Sequence, residues 1–229
     1  MKRAAGLGTL VIAAGVAAMT ACSGGSTTTA IPSNTPHIRS TAASLRPGLI
    51  TTKDLRSVPD LPTLEPVPLK QTNAFENPDP RGPCGAKISQ PDLSKGATAV
   101  FESQAPLTLS DTVLNLGTAA ATNYLSTLLA DARPGCPPYE STTSQGQTQT
   151  VTPSAFLDPL NAGAQRLVVL EKATVNDQTG YLGYAVVRRD GLIAITMVVS
   201  ALPVSSDTIQ ALATQVGDAL GRVRPAQLP

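Results

Sequence analysis

The side chains able to do chemistry are few. The chain of 229 residues holds 3 Cys, 1 His and no Trp. A nucleophilic serine needs a base, and His37 lies in a Ser/Thr/Pro-rich stretch with no rigid scaffold to hold one. Neither a Gly-x-Ser-x-Gly elbow nor a Gly-x-x-x-x-Gly-Lys-Ser/Thr loop occurs. Gly180-Tyr181-Leu182-Gly183 reads as a tight turn followed by a packing glycine, not as a phosphate cradle. Asp177 and Asp190 flank a predicted strand of ~10 residues, so they stand about 30 Å apart, too far for two carboxylates acting on one bond. The other acids are scattered, which signals neither a metal site nor a cofactor. Arg188-Arg189 admits two readings, a contact for an anionic ligand or headgroup and a solvated hairpin tip. These observations read as a chain without enzymatic activity.

The N-terminus reads as an address. Lys2 and Arg3 precede an apolar stretch, Ala4 to Ala18, too short and Gly-rich for a transmembrane helix. Met19-Thr20-Ala21-Cys22 follows and resembles a bacterial lipobox. The pattern prefers Leu where Met19 stands and Ala or Ser where Thr20 stands. The resemblance implies cleavage before Cys22 and lipidation (palmitate or a similar acyl chain) of the new N-terminus. Secretion with a free Cys22 is the other reading. Cleavage would remove two basic residues of 17 and none of the 16 acids, leaving a formal charge of −1. A near-neutral domain has no electrostatic footprint for nucleic acid. Attachment to the cell membrane would then rest on acyl chains, at about 0.8 kcal/mol per buried methylene.

With Cys22 assigned to lipid, Cys84 and Cys136 remain, an even pair in an oxidising compartment. Both sit in turns, Pro83-Cys84-Gly85 and Gly135-Cys136-Pro137. A disulfide between them closes a loop whose chain entropy is worth roughly 4 kcal/mol. The competing reading, a redox pair or metal site, would need a Cys-x-x-Cys motif or a neighbouring His, and neither is present.

These residues depend on the elements that carry them. Residues 1–21 read as a signal peptide, 22–48 as a lipidated cysteine and flexible tether, and 49–229 as one domain. The tether is either a bare spacer or a carrier of O-linked sugars. Seven prolines between residues 57 and 83 predict an extended strap, after a helical turn near Thr51–Leu55. Thr98–Ser103 reads as a strand. Ser110, with Asp111 in the first turn, is placed to N-cap a helix running to Ala132. Residues 139–152 form polar strands around Gly146, and Pro153–Ala164 a loop. Three strands follow, Arg166–Val175, Tyr181–Arg188 and Leu192–Ala201, with a turn at Asn176–Gly180 and a type I′ turn signal at Asp190-Gly191. Ser205 or Ser206 caps a last helix, buried through Ile209, Leu212, Ala213, Val216, Leu220 and Val223 and ended by Pro225. The expected architecture is α+β, an antiparallel sheet of about five to six strands with two main helices packed on one face.

One pattern departs from that architecture. In Tyr181–Val187 and Leu192–Val199 both alternating faces are apolar, whereas a sheet covered on one side alternates with polar residues. Either the strap and loops cover the second face, or Leu182, Tyr184 and Val186 form a concave apolar binding face.

A lipobox, a Thr/Ser/Pro tether, Cys84 before a strand, a long helix ending at Cys136, and a late hairpin with a C-terminal helix resemble actinobacterial cell-envelope lipoproteins. The layout is also similar to the extracytoplasmic sensor-like domain of membrane serine/threonine kinases. Those domains carry a second disulfide and several tryptophans, which this chain lacks. The resemblance implies an extracytoplasmic, non-enzymatic sensor or carrier domain for an apolar or amphiphilic ligand. The alternative is an interaction protein that docks another envelope protein through the sheet face. An envelope hydrolase is a third, weaker reading.

Overall fold

The computed structural model describes residues 42–67, 79–143, 146–157, 160–161 and 164–224. Residues 1–21, the expected signal peptide, together with Cys22, His37 and Pro225 lie outside them. Packing begins upstream of the expected boundary at Leu49. Helix α1 (Ala42–Leu45) and a 3-10 turn (Arg46–Gly48) precede α2 (Thr52–Leu55), and Leu45 is fully buried. A capping box starts α2: the Thr51 hydroxyl accepts from the Asp54 amide, and Asp54 accepts from the Thr51 amide at 2.7 Å. Then come β1 (Glu65–Pro66), a 3-10 turn (Leu93–Lys95), β2 (Ala97–Glu102), β3 (Leu107–Asn115), α3 (Thr118–Asp131) and β4 (Tyr139–Thr142). The chain continues through β5 (Thr148–Leu157), β6 (Leu160–Asn161), β7 (Ala164–Val175), β8 (Gln178–Arg189), β9 (Leu192–Ser200) and α4 (Ser206–Leu220).

The strands form one antiparallel sheet in the order β1-β2-β3-β9-β8-β7-β5-β4, with β6 paired to β7. The tight turns specify its long central hairpins. Asn176 and Asp177 both have positive φ and join β7 to β8 in the two-residue type I′ manner. At the next turn only Asp190 has positive φ, so the type I′ expectation for Asp190-Gly191 does not hold. Gly191 answers to proximity instead, since a Cβ there would stand 2.9 Å from the Gly117 Cα.

The expectation of about five to six strands with both main helices on one face is wrong in two respects. Among the described residues the sheet has nine strands. The additions are short edge strands and β3, where the chain was expected to be helical. Ser110 and Asp111 lie inside β3, and the helix starts at Thr118 behind Gly117. Nor do the helices share a face. α3 packs Ala121, Leu125 and Leu128 against Leu167, Val169, Val186 and Ile193. α4 packs Ile209, Leu212, Ala213, Val216 and Leu220 against Val168, Ala185, Val187 and Ala194. Neighbouring strand residues point to opposite faces, so the helices lie on opposite sides of the sheet. That arrangement is why β8 and β9 are apolar on both sides.

The α4 face is closed further by the N-terminal segment, which buries Leu45, Ile50, Leu55, Val58 and Leu64 in the same core. Arg222, just past α4, fastens it. Its guanidinium bonds both Asp54 carboxylate oxygens at 3.0 and 2.9 Å and donates to the Pro47 and Leu49 carbonyls.

Candidate functional site

The α3 face is only partly covered, and a cavity of about 270 Å³ opens there. Its floor is the outward row of β8 (Leu182, Tyr184, Val186) and of β9 (Ile195, Met197, Val199). Alternation puts these six side chains on one face, and the register pairs Tyr184 with Met197 and Val186 with Ile195. Tyr124 and Leu128 of α3 form one wall. The segment around Pro80, Arg81 and Ile88 forms another.

Two links hold that second wall against the end of α3. Cys84 and Cys136 are joined, with Cα atoms 5.4 Å apart. The Cys84 amide donates to the Asp131 carboxylate at 2.8 Å. Gly82 lies so close to that carboxylate that no Cβ would fit. Arg81 in that wall donates to Asp79 at 2.8 Å and to the Gly85 carbonyl at 3.1 Å. Its buried Nε has no hydrogen-bond partner.

The far end of the cavity is polar. Glu171 on β7 shares the face of Leu182, its cross-strand partner on β8, and is only 6% exposed. The Tyr139 hydroxyl, brought in by β4, donates to one Glu171 oxygen at 3.2 Å. Burial pushes the Glu171 carboxyl up to about 7, and the Tyr139 hydrogen bond offsets only part of that rise. Burial also pushes the Tyr139 phenol well above its ordinary range, helped by the Glu171 charge. Burial raises Tyr184 in the same way and takes Tyr124 up to about 12. Of the chain's 4 tyrosines, Tyr124, Tyr139 and Tyr184 lie on the cavity side, and Tyr181, on the alternate row of β8, only borders it.

The sequence-predicted residues distribute as follows. Leu182, Tyr184 and Val186 lie together on the cavity floor. The second face is covered in part by α3 and the segment around Ile88, while the strap residues Leu61 and Leu64 pack on the α4 face instead, and the rest of the second face is concave. Gly183 is a packing glycine, but Gly180 lies within β8 and not in a turn. Asp177 and Asp190 lie beyond opposite ends of β8, as expected. The arginine pair is split. Arg188 donates to Thr122 of α3 at 3.0 Å, while Arg189 lies against Gly221 after α4. The two therefore do not form one anion site.

Sequence reasoning missed Glu171, Tyr139 and Tyr124. The available signal was Glu171 itself, an acid inside the long β-branched and apolar run 167–175. Asp111 was misassigned. It is fully buried on the α4 face, where its carboxylate accepts from the Thr196 hydroxyl at 2.6 Å and the Ile50 amide at 2.9 Å. Its role there is to dock the N-terminal segment on the sheet.

Among the described residues, no group of three or more His, Cys, Asp and Glu is placed to hold a metal ion, and no helix is long and apolar enough to cross a membrane. No family model and no curated protein matches the chain. Among solved structures, the chain is similar to the extracellular domain of PknH from Mycobacterium tuberculosis, with a TM-score of 0.53 and 10% identity. The match covers 81% of this chain and 99% of that one. At that identity the likeness is one of fold.

Proposed function

We propose that this chain is a membrane-anchored extracytoplasmic lipoprotein whose domain is a non-enzymatic, sensor-like module binding an apolar or amphiphilic small molecule. The observation that carries the ligand reading is the α3-face cavity, with six apolar or aromatic floor residues including Tyr184, a wall at Tyr124, and a polar end at Glu171 and Tyr139. Pockets of this kind combine an apolar lining with a few polar groups that orient the ligand. The lipobox-like Met19-Thr20-Ala21-Cys22 supports the anchor. The Cys84–Cys136 link and the likeness in fold to an extracellular domain support the location.

Native mass spectrometry of the chain purified from a bacterial envelope fraction tests both parts. The expected result is an acyl mass on Cys22 and a stoichiometric bound small molecule released on unfolding. A chain with free Cys22 would overturn the anchor. A bare domain that also fails to take up added amphiphiles would overturn the ligand reading and favour docking of an envelope protein.

A further inference from the structure

We infer that the cavity selects an amphiphile whose head donates a hydrogen bond to Glu171, a hydroxyl or an ammonium group, and discriminates against carboxylate and phosphate heads. This rests on the ligand reading above and adds the chemistry of the head. Glu171 is the one acid buried in the cavity, and only one of its oxygens is engaged, by the Tyr139 hydroxyl. The second oxygen has no hydrogen-bond partner among the described residues. A buried carboxyl in that state gains from a donor brought by the ligand.

The surrounding charges favour the same choice. Tyr139 on β4 and Tyr124 and Asp131 on α3 surround this end, with Tyr184 on the floor and Asp79, Arg81 and Lys87 on the covering segment. Arg81 lines the cavity and spends its two terminal nitrogens on Asp79 and the Gly85 carbonyl, which leaves its buried Nε–H unpartnered, and Lys87 is exposed. An acidic head would add a negative charge beside Glu171 and Asp131, and the donor left to meet it, the Arg81 Nε–H, belongs to a guanidinium whose charge Asp79 already balances. Burial pushes Glu171 up to about 7, so near neutral pH an ammonium would draw it to the carboxylate and a hydroxyl could bond either form.

The probes carry a ten-carbon chain to lie along the apolar floor of β8 and β9. The test titrates the full chain, below micelle formation, with 1-decanol, decylammonium and decanoate. Binding is read by intrinsic tyrosine fluorescence, to which Tyr124, Tyr139 and Tyr184 contribute from the cavity and no tryptophan adds a background. Decanol and decylammonium should each bind at least about tenfold tighter than decanoate. In Glu171→Gln the amide oxygen still accepts but carries no charge. Decylammonium should weaken about tenfold, while decanol stays within about threefold. Whichever of the two binds tighter to the unaltered chain identifies the head as ammonium or hydroxyl. Decanoate binding as tightly as the others would overturn the head chemistry and leave the cavity reading standing. So would Glu171→Gln leaving the decylammonium affinity and the decanol-to-decanoate ratio both unchanged. Failure of all three probes to bind the unaltered chain would overturn the ligand reading itself. The comparison on the unaltered chain holds even if the variant does not fold.

Discussion

Asp111 and Glu171 are buried carboxyls on opposite faces of the same sheet. Burial raises both, Asp111 to about 6 against its bonds from Thr196 and Ile50, and Glu171 to about 7. The folded chain thus holds these protons more tightly than the unfolded one. The stability this confers is fully present below about pH 4 and is lost as pH rises through 6 and 7. Three other acids act in the reverse sense. Burial raises Asp54, but the bonds from Arg222 and Thr51 outweigh it, and the partners Arg81 and Ser94 lower Asp79 and Asp92. Their contribution disappears on acidification below about pH 4. The melting temperature should therefore peak near pH 5, with each buried carboxyl worth on the order of 2 kcal/mol between pH 8 and the peak. The double variant Asp111→Asn, Glu171→Gln should flatten that rise. A wild-type melting temperature that is level or falls between pH 8 and pH 5 would contradict the assignment.

At the scale of elements, α4 and β3 show opposite outcomes for the same kind of reasoning. Every apolar position assigned to α4 is buried, and the Ser205 hydroxyl accepts from the Thr208 amide at 3.1 Å as a cap should. The helix was legible because its period and its cap are local properties. Ser110-Asp111 carries the same cap signal, yet it lies in a strand. Its acid is satisfied by Thr196, 85 residues later, and by the Ile50 amide, 61 residues earlier. No short window of sequence contains those partners. α4 reaches the sheet at Gly183, where a Cβ would stand 2.6 Å from Ile209 Cδ1 and 2.8 Å from Cγ1. Gly183→Ala should cost about 2 kcal/mol by overpacking, and paired Ile209→Val should recover part of it in denaturant titrations. An additive double variant would place the clash elsewhere.

At the scale of the whole molecule, the two faces of the sheet are closed differently. The α4 face is sealed by the N-terminal segment, whose fastening to Arg222 spans 168 residues in the contact with Asp54. The α3 face is covered by a helix and a disulfide-held segment that leave a cavity between them. Arg222→Ala removes four hydrogen bonds from the first seal. The Arg222 side chain is 40% exposed, so the loss of global stability should be only about 1 kcal/mol. Amide exchange over residues 42–64 should nonetheless rise about tenfold, because local opening of that segment becomes easier. Exchange that rises equally throughout the sheet would show that the segment does not open on its own.

Local chemistry in the sequence determined the last helix through its period and cap and the two-sided apolarity of β8 and β9, and it located the late hairpins, although the turn expected at Asn176–Gly180 closes at Asn176-Asp177 and Asp190-Gly191 is not type I′. The count of cysteines also singled out Cys84 and Cys136 as the pair to be joined. Only the tertiary structure decided that α3 and α4 take opposite faces, that β3 is a strand around a buried acid, and that Glu171 meets Tyr139 at the end of a cavity shared with Tyr124 and Tyr184. The physical reason is range. Periodicity, caps and turns act over a few residues, whereas the burial of Asp111 and Glu171 and the shape of the cavity depend on partners brought together from elements distant in the chain.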